Sequence, residues 1–220
     1  MGSHKNHQPT LLRFYHKYLC EEDTAAFITE VAAHYQLSTL AVLARRGGRI
    51  ERRAAIFALG LLGGYESNPI LGEALRDSDR GVRLLADRGI RDLWMRQSGE
   101  SARRRLCRII RLNTCQRFSE ADYASSELLR TFPDYAEARN QRSVARHNQS
   151  DWSGALADCH IALEINKYQF DAAAGAGFCH MALDAPEEAL ACFQHAVGIH
   201  PGLEIIRLRV KQLQQALEEL

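Results

Sequence analysis

At 220 residues, 46% of them hydrophobic and 25% charged, the chain can bury a sizeable core as one large domain or two small ones. Its six cysteines are scattered without a CxxC pair, which excludes a disulfide scaffold, and no apolar run reaches membrane-spanning length. The net charge of +1 hides an asymmetry: residues 1–112 carry 19 Lys+Arg against 12 Asp+Glu, and residues 113–220 carry 9 against 15. Such a split can steer a charged partner or draw two copies together, so a homo-oligomer is one expectation. Met1 to Gln8 are polar with no apolar stretch of a leader, and a cytoplasmic protein that neither enters nor spans a membrane is expected.

Only five prolines and no strand-like alternation point to helix throughout. Leu11, Leu12, Tyr15 and Leu19 lie at helical spacing, and Asp23 stands as an N-cap for a second pattern through Phe27, Ile28, Val31 and Tyr35. From Leu40 to Leu93 a 31-residue period follows, matching Leu40 with Leu71, Arg52 with Arg83, Ala55 with Ala86 and Leu62 with Leu93. Each unit reads as a short helix, a turn and a longer helix, with turns at Arg46-Gly47-Gly48 and Asp77-Ser78-Asp79. The run from Arg52 to Gly60 and the string from Asp77 to Arg83 resemble HEAT repeats. That resemblance implies structural roles for Asp79 and Arg83 in a ladder between units. It also implies an incomplete ladder beside Arg52, whose own turn has glycines where the Asp would be.

The stretch Gln97-Ser98-Gly99-Glu100-Ser101 reads as a boundary, with Ser101 capping a basic helix over 102–112. Beyond it Ala155, Leu156 and Ala162 recur 34 residues later as Ala189, Leu190 and Ala196, and Pro133 and Pro201 lie twice 34 apart. A 34-residue period with small residues at matched points reads as stacked helical hairpins, in three units over 102–135, 136–169 and 170–203. Gly177, Ala189, Phe193, Ala196 and Pro201 resemble the signature positions of the tetratricopeptide family, with Ser143, Ala155 and Ala162 in the middle unit and Ala121 and Pro133 in the first. The segment 203–220 is amphipathic and reads as a closing helix. The expected fold is all-α, an α-solenoid of helical hairpins. Its parts are a tail and capping helices over 1–36, HEAT-like repeats over 37–98, three tetratricopeptide-like repeats over 99–203 and the closing helix over 204–220.

No catalytic constellation emerges. Cys159-His160, Cys179-His180 and Cys192-x-x-His195 suggest metal ligands, but the repeat places Cys159 where Phe193 packs, and no complete ligand set stands at metal spacing. No metal and no cofactor are therefore expected. Gly60 to Gly64 lacks the Lys of a phosphate loop, and Glu187-Glu188 suits the start of a helix. Arg103, Arg104, Arg105, Arg108 and Arg111 invite a nucleic-acid reading, which sparse aromatics and interleaved acids disfavour. The tetratricopeptide resemblance implies instead a concave groove, lined by the first helix of each unit, that grips a peptide or partner segment. Carried onto this chain the lining is Arg103, Ile110, Asn140, Val144, His147, Ala174, Phe178 and Met181. Asp171 and Gly175 stand where the family's chaperone-binding members place basic clamp residues, so chaperone tails are disfavoured. The resulting expectation is a non-catalytic adaptor; a HEAT-like enzyme or enzyme partner and a self-assembling scaffold are the alternatives.

Overall fold

A computed structural model describes residues 10–219; the polar stretch Met1–Gln8 lies outside them. Among the described residues there are thirteen α-helices, one short 3-10 turn and no strand, the all-α hairpin solenoid that the periodicity predicts. The chain forms two compact units, Met1–Leu93 and Trp94–Leu220. Residues 1–93 carry 13 Lys+Arg and 11 Asp+Glu, and residues 94–220 carry 15 and 16. The charge asymmetry read from the sequence is therefore not a property of the two units. The basic helix belongs to the same unit as the acidic residues that follow it.

In the first unit α1 (Thr10–Glu21) and α2 (Thr24–His34) meet around Leu11, Phe27 and Val31. Asp23 caps α2 as expected, its Oδ1 accepting from the Ala26 amide at 2.9 Å. Tyr15, Tyr18 and Phe27 form a ring cluster with Phe57 of α4 (Arg49–Leu62), the Tyr18–Phe57 centroids 4.5 Å apart. The helices α3 (Leu37–Arg46), α5 (Asn68–Ala74) and α6 (Arg80–Arg96) complete the repeated segment. Gly60 of α4 and Gly89 of α6 let two backbones touch: a Cβ on Gly60 would sit 3.0 Å from the Gly89 Cα.

The turn ladder differs from its expected form. Arg52 reaches forward to Asp77 of the next turn through two hydrogen bonds of 2.8 and 2.9 Å. Arg53 does the same to Asp79 at 2.7 and 2.8 Å and holds that carboxyl well below the usual carboxylate range. Arg83 instead ties its own turn, donating to the Asp77 and Ser78 carbonyls. The rungs thus use the arginines of one turn and the aspartates of the next, so the missing Asp at Gly47-Gly48 leaves no gap beside Arg52; its Nη1 donates to the Gly47 carbonyl.

The second unit holds α7 (Gly99–Thr114), α8 (Phe118–Thr131), α9 (Ala136–Asn148), α10 (Trp152–Ile165), α11 (Phe170–Ala182), α12 (Pro186–Ile199) and α13 (Glu204–Glu218). Helix α7 begins at Gly99, with Ser98 at its N-cap, rather than at the expected Ser101 cap; Gly99, at φ +83°, makes the turn. Starts recur at 34 residues: Phe118, Trp152 and Pro186, then Ala136, Phe170 and Glu204. Each of the three hairpins turns through one left-handed residue, Gln116, Ser150 and Asp184, at φ 58°, 63° and 59°. Behind each, the next amide closes the helix end: Arg117 to the Leu112 carbonyl, Asp151 to Arg146 and Ala185 to His180, at 2.9–3.0 Å. Ala121, Ala155 and Ala189 are fully buried at matched points of the second helices. Tyr135 closes the first hairpin repeat of this unit, its hydroxyl donating to the Met95 carbonyl at 2.7 Å, and Trp94 packs on Phe170 with ring centroids 5.2 Å apart.

Gly177 marks the tightest crossing of this unit. A Cβ there would meet ring atoms of the buried Phe193 at 2.5–2.9 Å, whereas one on Gly198 would meet nothing within 4 Å. Alanine improves helix propensity at both positions, so packing alone separates them. Gly177→Ala is expected to lower unfolding stability by about 1–3 kcal/mol, and Gly198→Ala to raise it by about 0.5–1 kcal/mol. Urea unfolding of the two variants side by side checks this, and equal changes would show that the crossing is not tight.

Candidate functional site

Helices α9, α11 and α13 occupy the same place in successive repeats, and the candidate groove residues fall on α7, α9 and α11. Arg103 is exposed and pairs with Glu100 at 3.4 Å; Ile110 is half-buried against Leu106 and Ile109. His147 is half-buried. Ala174 and Asn140 are buried, at 8% and 4% exposure, which takes both out of direct reach of a ligand. The Asn140 side-chain amide donates to Glu137 at 3.3 and 3.4 Å, and the Asn140 backbone carbonyl accepts from the Ser143 hydroxyl. Val144, Phe178 and Met181 remain open, at 38%, 37% and 44% exposure.

Phe178 and Met181 share a cleft of about 320 Å³ whose other walls are Phe193, Arg209, Gln212, Leu213 and Ala216. The Phe178 ring stands edge-on to Phe193 at 5.0 Å. The helix read from sequence as a lid is therefore also a wall of this cleft. The repeat spacing already carried that signal: Gln212 lies 34 residues after Phe178, and Leu208 lies 34 after Ala174. Arg209 is the charged residue of the lining, and its Nη1 reaches Gln212 at 3.4 Å.

Two polar clusters behind this face have no counterpart in the sequence reading. In the first, Glu137 is buried and accepts from Gln141 at 2.8 Å and from Gln169 at 2.6 Å. Burial pushes its carboxyl up to about 7, and Asp171 adds to the rise against the hydrogen bonds from Gln141, Asn140 and Gln169. In the second, Arg142 forks onto buried Asp158 at 2.8 and 2.6 Å, and Arg146 bridges Asp158 and Asp122 at 3.0 Å each. Arg139 joins at 3.6 Å. The third unit places Ala173, Ala176, His180 and Cys192 at the corresponding positions, so the joint change of three residues to arginine and one to aspartate was the available signal.

The remaining chemistry-bearing residues are dispersed. Among the described residues no group of three or more His, Cys, Asp or Glu side chains is placed to hold a metal ion, and no helix is long and apolar enough to cross a membrane. Glu187 and Glu188 lie in the first turn of α12, where the helix dipole favours them. Arg105 and Arg108 share a cleft with Glu120, Tyr123 and Glu127, a mixed rather than a basic surface.

No family model matches the chain, and no curated protein does. Solved structures of similar fold include the first tetratricopeptide domain of Spaghetti (RPAP3) bound to the HSP90 peptide SRMEEVD. It aligns at a TM-score of 0.51 and 19% identity over 53% of this chain and 93% of that one. The first tetratricopeptide domain of human RPAP3, solved by NMR, aligns at 0.51 and 19% over 54% and 93%. The likeness is one of fold, a tetratricopeptide-like arrangement of helical hairpins.

The Glu137 cluster makes stability depend on pH. The folded chain prefers the neutral carboxyl, so the contribution is fully present below the unfolded value of about 4.5 and is lost as pH rises through about 7. That interval corresponds to roughly 3 kcal/mol. Glu137→Gln, which keeps the group neutral, is expected to match the wild type near pH 4.5 and to exceed it by roughly 2–3 kcal/mol at pH 8. Unfolding curves at the two pH values test the assignment; a gain of equal size at both would place the effect elsewhere.

Proposed function

We propose that the 94–220 unit is a non-catalytic scaffold that holds a peptide or partner segment against the successive first helices of its hairpins. The observation that carries this reading is the conjunction of Val144, Phe178 and Met181, large apolar side chains left exposed at the groove-facing positions of α9 and α11, with the cleft beside them. Exposed apolar surface of this kind is the usual mark of a binding face, and Met is suited to fitting more than one shape. A similar fold solved with a peptide bound supports it. The groove lining is proposed as Arg103, Ile110, Val144, His147, Phe178 and Met181 at the surface, with Asn140 and Ala174 as its floor. The ligand feature that fits best is a bulky apolar side chain entering between Phe178 and Met181.

For residues 37–98 we propose HEAT-like stacking, supported by the Arg52–Asp77 and Arg53–Asp79 rungs between consecutive turns. Free cysteines at all six positions fit a reducing, cytoplasmic setting.

Phage-displayed random peptides selected on the full chain provide the test. Phe178→Ala and, separately, Met181→Lys are expected to weaken binding of the selected peptides at least tenfold, while Tyr123→Ala, on α8, leaves it unchanged. Circular dichroism confirms that each variant is folded. Unchanged affinity in both folded groove variants would move the binding face elsewhere.

A further inference from the structure

Three of the six cysteines converge inside the second unit, one each from α10, α11 and α12. Cys159 and Cys179 are buried, at 0% and 1% exposure, and Cys192 is half-buried and packs against the apolar cluster that holds Cys159. The Cys159 sulfur points at α11 where that helix has no side chain: a Cβ on Gly175 would lie 3.2 Å from Sγ and 3.9 Å from the Ser143 hydroxyl. Cys179 follows Gly175 by four residues, on the same face of α11. The two thiols lie within interaction range of each other across the α10–α11 contact. Packing does not demand sulfur here, because the repeat places Ser125 and Phe193 at the Cys159 position and Ala145 at the Cys179 position.

We propose that Cys159 and Cys179 form a redox-reactive dithiol that hydrogen peroxide closes into a disulfide joining α10 to α11. The Cys179 sulfur attacks one peroxide oxygen, the O–O bond breaks, and a sulfenic acid and one water result. The Cys159 sulfur then attacks the Cys179 sulfur; the S–S bond forms, the S–O bond breaks, and the hydroxyl leaves as a second water with the Cys159 proton. Two thiols lose two electrons in total, and peroxide is reduced to two waters. The interaction with Cys159 holds the Cys179 thiol below its ordinary range, which favours Cys179 as the attacking sulfur. The same interaction, together with burial, pushes Cys159 up and keeps it as the resolving thiol. Peroxide, little larger than water, is the oxidant class suited to so enclosed a pair. The bond would tie the second helix of one hairpin to the first helix of the next, the joint on which the spacing of α9 and α11 depends.

The test uses the full chain carrying Cys192→Ser, so that the partner of Cys159 is unambiguous. After peroxide treatment of the folded protein, loss of two hydrogens is expected by intact mass. A trypsin digest without reductant should contain His147–Lys167 linked to Tyr168–Arg207, and dithiothreitol should reverse both changes. Cys159→Ser, a near-isosteric change, should abolish the link in protein whose circular dichroism is native. The proposal is overturned if Cys159 and Cys179 both remain alkylatable on denaturation after peroxide. It is also overturned if the only links formed involve Cys20, Cys107 or Cys115, or if Cys179 takes up further oxygens while Cys159 stays free.

Discussion

Everything in the second unit depends on how each hairpin is closed. Gln116, Ser150 and Asp184 adopt a left-handed backbone that costs an L-residue about 1–2 kcal/mol, and none of them is glycine. The conformation persists because it brings the next amide onto a carbonyl five residues back, satisfying a helix end that otherwise has no partner. One residue more or fewer in any turn would rotate the following helix by about 100° and move Ala121, Ala155 or Ala189 out of the crossing. The 34-residue spacing is thus a consequence of turn geometry and helix packing acting together.

On this fixed frame the two later hairpins fill the same space with opposite chemistry. The third unit uses Ala173, Ala176 and Phe193 around Gly177 and excludes water. The second uses Arg139, Arg142 and Arg146 around Asp158, which is buried and carries several charge-assisted hydrogen bonds. Such a cluster contributes little net stability over an apolar core, since desolvating the ions offsets most of their attraction. Arg146 also reaches Asp122 on the preceding hairpin, so the cluster ties α9 to α8 as well as to α10. Ala124 stands in the first hairpin repeat and Cys192 in the third where Asp158 stands in the second, so the buried anion at this position belongs to the second repeat.

How far the chain was legible from sequence follows from the range of each interaction. Gly177, Ala155, Ala189 and the Asp23 cap announce themselves, because small residues at a fixed spacing and a short acid before a helix have local causes. The burial of Asn140 does not, since it depends on Glu137 one turn away and on Gln169 from the far end of the same repeat. A polar residue on a helix face reads as surface until the groups across from it are known. The Arg52–Asp77 rung was missed for a related reason: the acid that the arginine pairs with lies 25 residues on, while its own turn offers only the Gly47 carbonyl. Only the direction of its reach was hidden.

Helix α11 shows how these layers meet. Phe178 faces the cleft while Cys179, the next residue, lies in the core, as successive helical positions about 100° apart require. Gly175 and Cys179 share the face turned to Cys159, while Gly177, about 200° round from Gly175, sits against the Phe193 ring with no room to spare. Phe178 and Met181 keep more than a third of their surface open on the cleft side, where Phe178 also packs edge-on to Phe193. On the proposed binding reading, any preference for one peptide over another arises from Val144, Phe178 and Met181 together with the Arg209 and Gln212 wall. The buried face contributes by holding those positions at a constant separation. On that reading, selectivity and stability share α11: Met181 lies about 40° from Gly177, so the open positions border the crossing that fixes the hairpin.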